Sequence, residues 1–161
     1  RMRAISRILA VLTLLALALS SCKEPSCDFF LLSSDRTSED GGYCFEVELT
    51  DTTASYLTLI AARFNAKMIE KADSGTFPLN VTVTSPGGEV AAESISLPFG
   101  DVEGKVKMGR QVNGTVDIEW QYRDNVRISG NQSGIWKINL RPVDKALEKY
   151  LVGLGFSYKK H

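Results

Sequence analysis

Catalysis needs nucleophiles, bases or metal ligands in one another's company, and this chain of 161 residues supplies few of them. It has one histidine, His161, and three cysteines, Cys22, Cys27 and Cys44. A single histidine at the terminus is not expected to serve a Ser-His-Asp triad or a Cys-His pair, and these cysteines do not complete a credible zinc ligand set with it. Two carboxylate pairs, Glu46 with Glu48 and Asp117 with Glu119, are spaced i and i+2. That spacing puts each pair on one strand face, but the face opposite the apolar residues, so it reads as solvated surface rather than an acid–base pair. The glycines of "GKVKMGRQ" (Gly104 to Gln111) lack the Lys-Ser/Thr and the helix of a phosphate loop. No enzyme and no metal are expected. Trp120, Tyr122 and Trp136 have faces suited to sugars, yet fall at inward strand positions where aromatic side chains build cores. Glycan or peptide binding through Trp120 or Trp136 is the alternative reading.

Cys22 has the more specific setting. Arg1, Arg3 and Arg7 precede an apolar run from Ile8 to Leu19 that only Thr13 interrupts, with no acid before Glu24. Twelve helical residues span about 18 Å, against a hydrocarbon core of about 30 Å, so the run suits a signal peptide rather than a membrane span. It ends in Leu19-Ser20-Ser21-Cys22, which resembles the lipobox of bacterial lipoproteins: an aliphatic residue, two small residues and the cysteine that receives lipid. The expectation is a leader over residues 1–21 and a covalent lipid on Cys22, the one group the chain carries in place of a cofactor. Two or three acyl chains anchor stably where a single one does not.

Without the leader 140 residues remain, enough for one domain. Three of the 19 basic residues and none of the 19 acidic ones fall in the leader, so the remainder has a net charge of −3. Nucleic acid is not expected as a partner. Cys27 and Cys44 would sit in a compartment that permits disulfides, and a pair closing a loop of about fifteen residues stabilises by roughly 3 kcal/mol. Two separate buried thiols are the other reading.

The elements that position these residues are strands. "FEVEL" (Phe45 to Leu49) alternates apolar and acidic side chains, as a half-buried strand does. Tyr56 to Phe64 is apolar on both faces and suits an interior strand. Phe77 to Thr84 and Val90 to Leu97 flank Ser85-Pro86-Gly87-Gly88 and make a hairpin. "TVDIEWQY" points Val116, Ile118, Trp120 and Tyr122 inward, and "IWKINL" points Trp136, Ile138 and Leu140. Residues 98–114 read as one irregular strand or a long loop. Val143 to Leu151 reads as a short helix, and a last strand runs from Gly155 to Lys159. The expected architecture is all-β: an antiparallel β-sandwich of seven or eight strands with one short helix near the C-terminus, over residues 43–161. Residues 22–42 read as lipidated tether and disulfide loop, where Phe29 to Leu32 either adds an edge strand or rests near the membrane.

The stretches "VELTDTTASYLTLIAAR" (Val47 to Arg63), "QYRDNVRISGNQSGIWKINLR" (Gln121 to Arg141) and "LVGLGFSYKK" (Leu151 to Lys160) resemble the gliding-motility lipoprotein H family of Bacteroidota, GldH. The resemblance runs from about Tyr43 and is weakest over "FGDVEGKVKMGRQVNG". It implies an accessory component of the outer-membrane machinery for gliding and type IX secretion, with no enzymatic activity, held by lipid on Cys22. The partners to expect are the membrane, through that anchor, and other envelope proteins, with no small-molecule ligand. The location is the outer membrane, on its periplasmic or its surface face. Arg123 and Asp124 are candidates for partner contact, or else a local turn-stabilising pair. Asp51-Thr52-Thr53 resembles a short O-glycosylation motif of exported Bacteroidota proteins, with Thr52 the acceptor.

Overall fold

The computed structural model describes residues 29–35, 38–68, 75–100, 104–110 and 113–161. The expected leader over residues 1–21, Cys22 and Cys27 lie outside these residues. The described chain is an antiparallel β-sandwich of two sheets. Its strands are β1 (Phe29–Leu32), β2 (Tyr43–Leu49), β3 (Tyr56–Asn65), β4 (Thr76–Thr84), β5 (Val90–Pro98), β6 (Val106–Arg110), β7 (Thr115–Val126), β8 (Gly134–Pro142) and β9 (Leu151–Lys160). One sheet has the order β1-β9-β3-β7-β6 and the other β2-β8-β4-β5.

Alternation fixes which side chains lie between the sheets. On β2 the pattern is strict: Tyr43, Phe45, Val47 and Leu49 are buried while Cys44, Glu46 and Glu48 are exposed. β3, apolar on both faces, is interior, with β9 on one side and β7 on the other. β4 and β5 form the expected hairpin, and the Gly88 amide donates to the Ser85 carbonyl at 2.9 Å across its turn. Gly88 has φ +89°, which glycine adopts freely.

The centre of the core is aromatic. Trp120 of β7 is 1 % exposed and stacks on Phe77 with ring centroids 6.5 Å apart, and Phe64 meets Phe77 edge-on at 5.1 Å. The Trp120 indole Nε1–H donates to the Pro98 carbonyl at 2.6 Å, which satisfies its one polar group inside the core.

The described residues form nine strands where seven or eight are expected, because Phe29–Leu32 joins the sheet as well as β6. β1 pairs with β9 through four residue pairs, Phe29 with Phe156 to Leu32 with Gly153. The segment after it is tied down too: Ser33 Oγ donates to the Leu151 carbonyl, and the Tyr43 hydroxyl donates to Ser33 Oγ, each at 2.8 Å. The helix is shorter than its sequence pattern suggests. It covers only Lys145–Glu148, labelled α1, where the Asp144 carboxylate accepts from the Ala146 and Leu147 amides at its N-terminus. Leu151 is taken by β9, opposite Phe64.

The candidate cleft between the sheets

At one end of the sandwich, beyond the aromatic centre, β9, β3 and β7 of one sheet face β2, β8 and β4 of the other. There they enclose a cavity of about 110 Å³ with an apolar lining, whose walls include Leu49, Val126, Ile128, Trp136 and Tyr158. Trp136 is half-buried; its indole Nε1–H donates to the Gln132 carbonyl at 2.9 Å, leaving the ring against the cavity. Tyr158 stands edge-on to Tyr56 at 5.7 Å and donates its hydroxyl to the Glu48 carbonyl at 3.1 Å.

Tyr122 and Arg123 form the rim. The β3–β7 register shifts on both sides of Thr58, and the Thr58 hydroxyl fills the irregularity. Its Oγ1 accepts from the Arg123 amide at 3.0 Å and donates to the Arg123 carbonyl at 3.2 Å. This local exchange places the Arg123 side chain toward β5 of the opposite sheet. Its Nη2 donates to both oxygens of Glu93, at 2.6 and 2.8 Å, and its guanidinium lies 5.1 Å from the Tyr122 ring centroid. The Tyr122 hydroxyl donates to the same carboxylate.

The electrostatics follow from these contacts. Glu93 is held below its usual pKa, first by the Tyr122 hydrogen bond and then by Arg123. Burial, with the carboxylate beside it, pushes the Tyr122 phenol up to about 12. Arg123 is raised by its bond to Glu93. The three side chains are a clasp that joins the two sheets at the mouth of the cavity.

Of the residues singled out from sequence, the structure brings Tyr122, Arg123 and Trp136 to this cleft. Asp124 goes elsewhere: its carboxylate accepts from the Asn125 amide at 2.8 Å, beside the left-handed Asn125 with φ +53°. Arg123 and Asp124 are therefore not a pair; Arg123 spans the sheets, and Asp124 supports the left-handed Asn125 at the irregular end of β7. Trp120 must be withdrawn as a glycan contact, because a ring buried at the centre of the core has no open face. Cys44 is exposed on the outer face of β2, which corrects the reading of it as a buried thiol; Cys27, its candidate partner, lies outside the described residues. Thr52 is exposed, and the Asp51 carboxylate before it caps the turn by accepting from the Thr53 and Ala54 amides at 2.9 and 3.2 Å. The Lys160 ammonium, 2.7 Å away, leads the groups that hold Asp51 well below the usual carboxylate range.

The carboxylate pairs lie on outer faces. Asp117 is engaged by Arg63, with Nε to Oδ1 at 2.6 Å and Nη2 to Oδ2 at 2.9 Å. Glu46 and Glu48 are exposed on β2. Residues 106–110 of the glycine-containing stretch form strand β6 rather than a phosphate loop. Among the described residues no three His, Cys, Asp or Glu side chains are grouped to hold a metal ion, and no helix is long and apolar enough to cross a membrane.

Sequence reasoning missed Glu93. The signal was present: Glu93 shares strand parity with Ile95 and Leu97, so it is a charge on the inward face.

An all-β sandwich of two antiparallel sheets with an apolar cleft at one end is the class that the fold and site define. No family model matches the chain, and no curated protein matches it. Among solved structures, Pseudomonas aeruginosa AlgX, described under structural and functional characterisation, is similar over 88% of this chain and 28% of its own, with 13% identity and a TM-score of 0.41. The chain thus spans little more than a quarter of that protein's length, and a likeness at this level carries no functional argument.

Proposed function

We propose that this protein is a lipid-anchored, non-enzymatic component of the outer envelope that works by contact with other envelope proteins. The observation that carries the reading is the short distance from anchor to fold. Cys22 stands seven positions before Phe29, and Phe29 is already paired in a sheet. Seven residues of fully extended chain reach no more than about 25 Å. A lipid on Cys22 would hold the sandwich within that distance of the bilayer, where effective concentration lets weak contacts assemble. The resemblance to the gliding-motility lipoprotein H family supports a role in machinery of the gliding or type IX secretion kind, on the periplasmic or the surface face of the outer membrane.

The test is cross-linking in living cells, with mass spectrometry of what co-purifies with the full-length protein and with a Cys22→Ala form. Secretion or motility components recovered with the lipidated form alone support the reading. Equal recovery with both forms overturns the role of the anchor. A second reading, a surface lipoprotein that takes peptide or glycan, is favoured by one observation, the half-buried Trp136 ring at the cleft. Quenching of Trp136 fluorescence by a soluble oligosaccharide or peptide, lost in Trp136→Phe, would move the assignment to it.

A further inference from the structure

The four sheet edges differ in one respect. β2 carries Glu46 and Glu48, β5 carries Glu93 and β6 carries Lys107, whereas β1 has no charged residue at all. Sheet edges in water are ordinarily protected by charge. β1 instead presents Phe30, 40% exposed, and Leu32, 43% exposed, on the outer face of the five-stranded sheet.

These side chains are supported from beneath. Phe30 lies opposite Gly155 and Leu32 opposite Gly153. A Cβ on Gly153 would come within 2.5 Å of Phe30 Cε1 and of the Leu31 carbonyl oxygen, so the ring rests on bare β9 backbone. Across that strand the Arg63 guanidinium stands 5.4 Å from the ring centroid, held in turn by Asp117. The ring is thus fixed in place by backbone and guanidinium, and the part they leave uncovered faces outward beside Leu32.

The position of β1 in the chain indicates what covers it. It is the first described element after Cys22, at most about 25 Å of chain away, and the polar headgroup layer is itself several ångströms deep. We propose that the outer face of β1, Phe30 and Leu32 with Arg63 beside them, rests at the headgroup–acyl boundary of the bilayer that holds the Cys22 lipid. This rests on the reading of Cys22 as the lipidated residue. On the same outer face Arg63 pairs with Asp117 and Lys107 stands opposite Glu119, and on the other side Glu46 and Glu48 of β2 line a groove with Phe30; no surplus of positive charge surrounds the patch, so the contact needs no anionic lipid.

The experiment uses full-length protein purified from its envelope and reconstituted in phosphatidylcholine vesicles. Cys27 and Cys44 are replaced by serine, and a small fluorophore is placed at Leu32→Cys or, without altering the strand, at the exposed Ser34→Cys. Val90→Cys, 66% exposed in the wild type on the edge of the other sheet, is the control. Lipids with a nitroxide at the top of the acyl chain should quench positions 32 and 34 several-fold more than position 90, equally at low and high salt. Equal quenching at all three positions, or a contrast that high salt abolishes, overturns the proposal. Mass spectrometry of the same material separates the causes. Lipid on Cys22 without the contrast removes only the orientation, whereas Cys22 without lipid removes the anchored reading and this proposal together.

Discussion

Trp120 and Trp136 both occupy inward positions on long strands, yet Trp120 is sealed against Phe77 while Trp136 is half-buried beside a cavity. Nineteen other buried residues share one cluster with the first, whereas the second packs only at the edge of that cluster and of a small one, Leu49, Ala54, Tyr56 and Ile128. Strand parity chooses the face of a side chain; its depth is chosen by what the opposite sheet places above it. Over Trp120 that sheet places Phe77, and Pro98 supplies a carbonyl. Farther along β7 it places Glu93, so Tyr122 and Arg123 meet a carboxylate and the apolar filling stops.

The widest separation between the two ends should come from truncation. Trp120→Ala should cost about 3–5 kcal/mol in urea unfolding, and Trp136→Ala clearly less, about 1–2 kcal/mol, because its surroundings already tolerate a void. Equal losses would break the comparison. Gly153→Ala comes next: the new Cβ would meet backbone as well as ring, so β1 must shift, at about 1–3 kcal/mol. Hydrogen exchange should locate the damage in β1 and leave the β4–β5 hairpin protected.

The clasp gives a smaller effect with a defined sign. Glu93 has a depressed pKa in the folded state, so its contribution is present above the unfolded value, about 4.3, and is lost as the pH falls through the folded value. Wild type should therefore lose more stability than Glu93→Gln on going from pH 5 to pH 3. Tyr122 acts at the other extreme: an unfolded tyrosine ionises near pH 10 while Tyr122 keeps its proton to about 12, so stability falls as the pH rises through that interval. Tyr122→Phe should flatten that decline. The group is partly exposed, and solvent screening keeps both effects small. Smallest of all, Val126→Leu should fill part of the cleft and change stability by no more than about 1 kcal/mol, with a raised urea midpoint as the expected direction.

Much of the sandwich was legible because its strands alternate cleanly. Phe45 to Leu49, Phe77 to Thr84 and Thr115 to Tyr122 each commit one face to the core, and Ser-Pro-Gly-Gly commits the turn. The length of the helix was not legible, because Tyr150 and Leu151 suit a helical stripe as well as a strand start, and only the pairing of Leu151 with Phe64 decides between them. Phe29 to Leu32 suits a strand and a membrane patch equally, since four apolar residues carry no period. Of the cleft, Tyr122, Arg123 and Trp136 are visible as residue types. Their common location depends on the Thr58 irregularity and on a carboxylate thirty residues away, neither of which has a local signature.

β1 also determines how the molecule bears load. A pull on the chain before Phe29 reaches this strand before any other described element. Directed along the strand, the force shears all four β1–β9 pairs together, and the Ser33 bonds to Leu151 and Val152 at the start of β9 share the load. Directed away from the sheet, it peels them one at a time, starting from Phe29. The same four residues are stiff in one direction and weak in the other, so the angle at which the tether leaves the domain sets the force the fold withstands.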